Sequence, residues 1–231
     1  LIEQGFRPFV LDWATPSKDY ATINLQQSVE DYILPFTEFL NNYTATKAHL
    51  LGYCMGGILA LIAAAKKQEL YSSLSLVATP YDFSKMPFTG MTQVYKDNVL
   101  TMLNNIDICE DIIQSIFYMQ DCMGVINRIK HFANVESNDQ LERMVSLEDW
   151  LSDCIILEKE MAKDCVNLWY GENKLYHEDL NLECLDLPCN IITAERDEIV
   201  PAQSSLELLG LIPNSKHINV SSGHIGIMVG R

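Results

Sequence analysis

The chain has 231 residues, and its 16 Lys and Arg against 31 Asp and Glu leave a formal net charge of -15. This excess of negative charge argues against binding to nucleic acid or to an anionic bilayer. With 48% hydrophobic residues the chain is long enough for one large core with a sizeable insertion, and no break in composition marks two independent domains.

The first predicted elements are a helix end, a strand and a second helix. Residues 1–5 are typical of a helix end closed by Gly5, and residues 7–13 (RPFVLDW) predict a hydrophobic strand. A polar loop at 15–20 follows. Apolar residues at helical spacing then predict a helix over 22–40 that packs on a sheet.

The central motif is GYCMGG at residues 52–57, between a buried strand and a helix predicted over 58–65. It matches a nucleophile elbow, with a thiol where such turns usually carry a hydroxyl. We expect Gly52 and Gly56 to be required, because the backbone reverses so sharply that side chains there would strike the neighbouring strands. The elbow predicts that Cys54 is held above the edge of the sheet.

Cys54 is the candidate nucleophile. The amides that open the following helix would favour its thiolate, and the Met55 amide would donate a hydrogen bond to an oxyanion. A cysteine in an apolar run is more often a small buried hydrophobe. The order along the chain favours the nucleophile, because elbow enzymes place nucleophile, acid and histidine in that sequence, as Cys54, Asp197 and His224 do here. Asp82 is the alternative acid, although we favour it as a turn cap.

Three further strands are predicted at 73–78, 187–194 and 217–220, and Asp197 and His224 follow the last two. A helix is predicted at 206–211, and residues 224–229 are predicted to open a final helix. Strands separated by helices predict a parallel sheet with right-handed crossovers.

Residues 84–185 have helical patterns and little strand-forming sequence. This stretch is far too long for an ordinary connection between two core strands. We interpret it as a helical cap inserted over the active site, and residues 1–83 and 186–231 as the α/β core.

Two amphipathic segments of this cap, 141–153 and 158–168, predict helices. We favour Trp150 and Trp169 as apolar anchors inside the cap over ligand-stacking residues. Two histidines in polar contexts are predicted to be surface residues: His131 and His177.

Seven cysteines are scattered along the chain, odd in number and never in CxxC spacing. They predict reduced thiols in a cytosolic protein, without a disulfide framework or a zinc site. No secretion signal is visible. The longest nearly apolar run, residues 50–65, is too short to span a bilayer comfortably, so we expect no membrane span.

Five segments carry a resemblance to a known family: GYCMGG at 52–57, LVATPYDF at 76–83, LEDWLSD at 147–153, AERDEIVP at 194–201 and SSGHIGIMVG at 221–230. The cysteine elbow combined with GHIGI near the C-terminus is more specific than a general elbow motif. Together the five segments resemble the catalytic region of the polyhydroxyalkanoate synthases, including the shorter synthase-like proteins.

The resemblance implies an α/β-hydrolase fold, with a mostly parallel sheet flanked by helices and an inserted helical cap. It implies a triad of Cys54, His224 and Asp197. It further implies (R)-3-hydroxyacyl-CoA substrates, typically 3-hydroxybutyryl-CoA, joined into a polyester with release of CoA. No metal or redox cofactor is expected, and members of the family act as homodimers at the surface of cytoplasmic storage granules.

One departure from the family and two other functions stay open. The family carries a strand and an oxyanion-forming loop before the point where this sequence begins, so half of the oxyanion hole is absent from it; either the protein is longer or this is a weakened relative. The alternatives are a Cys-dependent esterase or thioesterase of the same fold and a non-catalytic granule-associated relative.

Overall fold

The computed structural model describes residues 1–13, 23–87, 89–105, 115, 122–135, 137–152 and 157–229. Within this part of the chain, all strands belong to one parallel sheet, which confirms the predicted arrangement. The strands lie side by side in chain order: β1 (Ala48–Tyr53), β2 (Tyr71–Val77), β3 (Cys189–Ala194) and β4 (Ser215–Val220).

The first long helical segment begins at Asn24, whose side chain accepts a hydrogen bond from the Gln27 amide at 2.8 Å while the Gln27 side chain accepts one from the Asn24 amide. This reciprocal capping satisfies two amides that a helix start leaves open. The segment comprises α1 (Leu25–Gln27), a π-helical stretch (Ser28–Ile33) and α2 (Leu34–Thr44).

The helix that follows the elbow is α3 (Met55–Lys66). The remaining described helices are Thr89–Val94, Lys96–Asn105, Cys122–Ala133, Asn138–Ser152, Lys159–Asp164, Ala202–Leu206, Leu208–Leu211 and Gly226–Val229, with a π-helical stretch at Cys165–Glu172 and 3-10 turns at Ile2–Gln4, Gln68–Leu70, Phe83–Lys85 and Leu182–Cys184.

Helix α3 is the centre of the core. Its residues 57–64 are all buried, with Leu61 and Ile62 completely so. A helix that is apolar on all sides must be covered on all sides. Helix α3 packs against β1 and β2 on one side and against the Ser28–Ile33 stretch on the other. Its first residue, and the turn before it, are therefore held firmly in place.

The two faces of the sheet differ in burial. Leu74, Leu76 and Ile191 point to the face that α3 covers and are almost completely buried. On the opposite face, Leu51 and Ile218 are 49% and 40% exposed. In the part of the chain that the structure describes, the helices therefore cover one face of the sheet.

The strand predicted at residues 7–13 is wrong, because the structure has irregular backbone there. The segment lies near β1 without pairing in the sheet: Phe6 packs edge-on against His49, and Arg7 lies 5.2 Å from the ring centre of Tyr43. Apolar strand-forming residues make a strand only when a neighbouring strand supplies the ladder, and that pairing is a tertiary property. The predicted loop at 15–20 lies outside the described residues.

The described residues between 84 and 185 are mostly helical, and the division into core and cap stays a prediction. Trp169 is 5% exposed, stacks on Phe83 at 5.4 Å between ring centres and belongs to the same buried cluster as the sheet. Trp150, in contrast, is 49% exposed, so its predicted place in the interior of the cap is wrong. Helical spacing shows that one face of its helix is apolar, but not whether a neighbour covers that face.

Among the described residues, no helix is both long enough and apolar enough to cross a membrane. His177 lies at the surface, as predicted, with half of its side chain exposed. The side chain of His131 is outside the described part of the structure.

Candidate active site

Cys54 lies in the sharp turn between β1 and α3, with φ 51° and ψ -123°. A positive φ is unusual for a residue with a side chain and costs on the order of 1–3 kcal/mol. Two hydrogen bonds hold the turn: the Cys54 amide donates to the Val77 carbonyl at 2.9 Å, and its own carbonyl accepts from the Gly57 amide at 3.0 Å. This is the backbone geometry of a nucleophile elbow.

The turn requires glycine at two positions. Only one of them, Gly52, is among the two positions that the sequence predicted. A Cβ on Gly52 would lie 2.5 Å from the Gly56 carbonyl oxygen, so no side chain fits there. Gly56 itself has open space, and its predicted requirement is wrong. The second required glycine is Gly57, because a Cβ there would lie 2.7 Å from Cβ of Thr79. That contact joins α3 to the end of β2, which the sequence of the elbow alone does not show.

Gly57→Ala is expected to destabilise the protein by about 1–3 kcal/mol, because a methyl group there overfills a packed contact. Gly56→Ala is the matched control and is expected to be neutral or slightly stabilising, since alanine is favoured over glycine inside a helix. Urea unfolding of both variants measures the difference. Equal stabilities of the two would contradict the assignment of Gly57.

The acid and the histidine meet at the carboxyl ends of β3 and β4. Nδ1 of His224 lies 2.8 Å from Oδ2 of Asp197, and each residue is only 9% exposed. The other carboxylate oxygen of Asp197 accepts hydrogen bonds from the amides of Ile199 and Val200 at 3.0 and 2.8 Å. These two amides fix the carboxylate in the loop, so it presents one oxygen to the imidazole.

The surroundings of His224 favour its charged form. Burial alone would lower its pKa, but hydrogen bonds with Asp197 and with Cys54, and the negative charges of both groups, raise the pKa to about 9. The imidazole is therefore placed between the carboxylate and the thiol. The structure thus brings the three predicted residues, Cys54, Asp197 and His224, to one place. Their catalytic roles stay predictions.

Asp82, the alternative acid, has different hydrogen-bond partners from Asp197. Its carboxylate accepts a hydrogen bond from the Ser84 amide at 2.9 Å and another from the Asn173 side chain at 2.9 Å. It caps the 3-10 turn Phe83–Lys85, which is the role that we favoured for it.

Met55 opens α3 beside Cys54, and amides in the first turn of a helix have no partner within that helix.

Sequence reasoning missed Tyr53. Its hydroxyl donates a hydrogen bond to the His224 carbonyl oxygen at 3.0 Å, and its ring centre lies 4.9 Å from that of His224. Burial, followed by the negative charges of Cys54 and Asp197, raises the pKa of Tyr53. The alternation of β1 is the signal that was available, because it turns Tyr53 to the opposite face from Gly52.

A second aromatic residue near the thiol is Tyr170, in the Cys165–Glu172 stretch. Burial, the charge of Cys165 and the charge of Cys54 raise its pKa to about 12. Its ring packs edge-on against Phe83 at 5.2 Å. The charge of the Cys54 thiolate therefore acts on a residue of the segment that we interpret as the cap.

The described residues contain no group of three or more His, Cys, Asp or Glu side chains that could hold a metal ion. Four described cysteines are free thiols: Cys54, Cys165, Cys184 and Cys189.

Comparison with known protein families and proteins places this geometry in context. A family model for the alpha/beta hydrolase fold matches residues 2–106. The poly(3-hydroxyalkanoate) polymerase subunit PhaC of Haloferax mediterranei is 29% identical over 99% of this chain and 50% of its own length. The corresponding subunits of Haloarcula marismortui and Allochromatium vinosum are 26% and 23% identical, again over 99% of this chain. The chain spans about half the length of the subunits of Haloferax mediterranei and Haloarcula marismortui.

Solved structures show the same fold at low sequence identity. A meta-cleavage product hydrolase from Pseudomonas fluorescens IP01 has a TM-score of 0.51 and 19% identity, covering 92% of this chain and 68% of its own. The enol-lactonase from Burkholderia xenovorans LB400 has a TM-score of 0.52 and 16% identity, covering 89% and 68%. These likenesses confirm the predicted fold class, and the polymerase relatives confirm the resemblance. The chain therefore has the α/β-hydrolase fold and is similar, over nearly its whole length, to poly(3-hydroxyalkanoate) polymerase subunits.

Proposed function

We propose that this chain is the catalytic region of an acyltransferase that polymerises (R)-3-hydroxyacyl-CoA, typically 3-hydroxybutyryl-CoA, and releases CoA. The observation that carries the proposal is the buried Asp197–His224 pair beside a cysteine on a nucleophile elbow. The names of the related polymerase subunits support the same reaction class.

The first step in this proposal is acylation of Cys54. His224 takes the thiol proton, and the thiolate attacks the carbonyl carbon of the CoA thioester. The Met55 amide donates a hydrogen bond to the oxyanion that forms. CoA leaves with a proton from His224. One thioester replaces another, so the acyl group keeps its activation.

The second step is transfer of the acyl group to a hydroxyl. His224 takes the proton of the 3-hydroxyl of a second acyl unit, and that oxygen attacks the carbonyl carbon of the thioester on Cys54. The bond from that carbon to the Cys54 sulfur breaks, and the thiol leaves with the proton returned by His224. The product is an oxoester, which is more stable than the thioester, so chain growth is downhill. Asp197 holds the imidazole in the tautomer with the proton on Nδ1 and stabilises its charged form.

The cofactors, partners and location that we propose follow from the same resemblance. The substrate thioester supplies the activated group, so the reaction needs no cofactor and no metal. The partners are the hydroxyacyl-CoA and the growing polyester, and we expect a homodimer in the cytoplasm at the surface of storage granules. The negative net charge of -15 fits a protein without a nucleic-acid partner.

Incubation of the protein with (R)-3-hydroxybutyryl-CoA tests the proposal. Free CoA is followed with a thiol reagent, and the acyl product is weighed by mass spectrometry. We expect CoA release together with oligomeric ester. CoA release with only the free hydroxy acid would mean that water takes the second step and that the protein is a thioesterase. No release would favour the non-catalytic relative.

A further inference from the structure

Tyr53 contacts His224 in two separate ways. Its hydroxyl donates a hydrogen bond to the His224 backbone carbonyl at 3.0 Å. Its ring packs against the imidazole, with the two ring centres 4.9 Å apart and the planes inclined by 34°. The residue is partly buried and is the last residue of β1, directly before Cys54.

This position connects two parts of the site that are distant in the chain. Cys54 is fixed by the elbow between β1 and α3, whereas His224 lies on a loop after β4, at the far side of the sheet from β1. Asp197 fixes one nitrogen of the imidazole but not the backbone that carries it. The hydroxyl of Tyr53 reaches that backbone, so the strand that carries the nucleophile also holds the loop of the base.

The ring has a different effect from the hydroxyl. The face of an aromatic ring attracts a cation within about 6 Å of its centre. The His224 ring meets that distance. Tyr53 therefore favours the imidazolium that forms when His224 takes the thiol proton. Its own raised pKa keeps the hydroxyl protonated, and thus a donor, as His224 changes charge.

We infer that Tyr53 is a positioning residue, whose hydroxyl sets the place of His224 relative to Cys54 and whose ring stabilises the imidazolium. The inference rests on the proposed function for its effect on turnover. The arrangement itself does not depend on any substrate, so part of the test needs none.

Two variants separate the two contacts. Tyr53→Phe keeps the ring and removes the hydrogen bond, and Tyr53→Leu removes both. Tyr43→Phe is the matched control, because Tyr43 is exposed and its hydroxyl contacts Arg7, away from the site. The measurements are kcat and KM with (R)-3-hydroxybutyryl-CoA, the NMR titration of His224 assigned with His224→Ala, and the melting temperature.

For Tyr53→Phe we expect kcat to fall about 3- to 10-fold, the usual effect of one hydrogen bond, with KM and the His224 titration midpoint unchanged. For Tyr53→Leu we expect a larger fall in kcat and a midpoint below that of the unaltered protein, which is expected near 9. Tyr43→Phe should match the unaltered protein in its kinetic constants, its His224 titration midpoint and its melting temperature.

A role in packing alone would lower the melting temperature of both variants while leaving kcat and the His224 midpoint unchanged, and that result would overturn the inference. The inference would also be overturned if Tyr53→Phe kept full kcat and Tyr53→Leu left the midpoint of the His224 titration unshifted. If the unaltered protein does not turn over the substrate, the proposed function fails, and the His224 midpoints alone decide the role of the ring.

Discussion

Cys54→Ala is expected to abolish formation of the acyl-enzyme and to lower turnover by about 10⁴-fold or more, because the nucleophile of a covalent mechanism has no substitute. Intact-protein mass spectrometry after acid quenching of a reaction with (R)-3-hydroxybutyryl-CoA measures the bound acyl group. The unaltered protein should carry one acyl group, and the variant none.

The other thiols provide the control. Burial raises the pKa of Cys189 to about 11, and it also raises the pKa of Cys165, so both stay protonated at neutral pH and are poor nucleophiles. Cys184 is the exposed free thiol and the most accessible competitor in the described chain. Cys184→Ala should keep full labelling. An acyl group retained in Cys54→Ala but lost in Cys184→Ala would place the nucleophile at Cys184.

Asp197→Asn is expected to lower kcat by about 10³- to 10⁴-fold, on the scale of the same change in other triads. The reason is the tautomer of His224. The amides of Ile199 and Val200 hold one oxygen of residue 197, so an asparagine there would turn its NH₂ group toward Nδ1 of His224. Nδ1 must then accept, the ring proton moves to Nε2, and that nitrogen can no longer take the proton of Cys54. Steady-state kinetics measure the loss.

Asp82→Asn is the matched control for this change. Asp82 is also a buried aspartate, it accepts two hydrogen bonds from Ser84 and Asn173, and it is the alternative acid from the sequence. We expect its kcat to stay within a few-fold of that of the unaltered protein. The opposite pattern, with a large loss in Asp82→Asn and little in Asp197→Asn, would make Asp82 the catalytic acid.

The same pair predicts a pH dependence of stability. The pKa of His224 is raised from 6.5 to about 9 in the folded protein. A raised pKa contributes stability that is complete below the unfolded value and is lost as the pH rises through the folded one. The unfolding free energy should therefore fall between about pH 6.5 and pH 9, by on the order of 1–3 kcal/mol. Urea unfolding across this range measures the slope, and Asp197→Asn should flatten it. A stability that rises over this range would contradict the charged state of His224.

Much of the site could be predicted because its signals are local. The turn at Cys54 follows from GYCMGG, and the positions of Asp197 and His224 follow from their places directly after predicted strands. In a parallel sheet the carboxyl ends of all strands lie at one edge, so residues that follow the strands must meet there. The roles of these residues could be predicted from their order along the chain, because elbow enzymes place nucleophile, acid and histidine in that sequence.

The tertiary structure decided which neighbours each residue meets. A side chain at Gly57 would meet Thr79, which follows β2, and the hydroxyl of Tyr53 reaches the loop that carries His224. Trp150 is exposed although its helix is amphipathic, and residues 7–13 form no strand although they are apolar. Periodicity and turn motifs are properties of a few consecutive residues, and the sequence by itself determined those. Packing and strand pairing join residues that are far apart in the chain, so only the folded structure decided them.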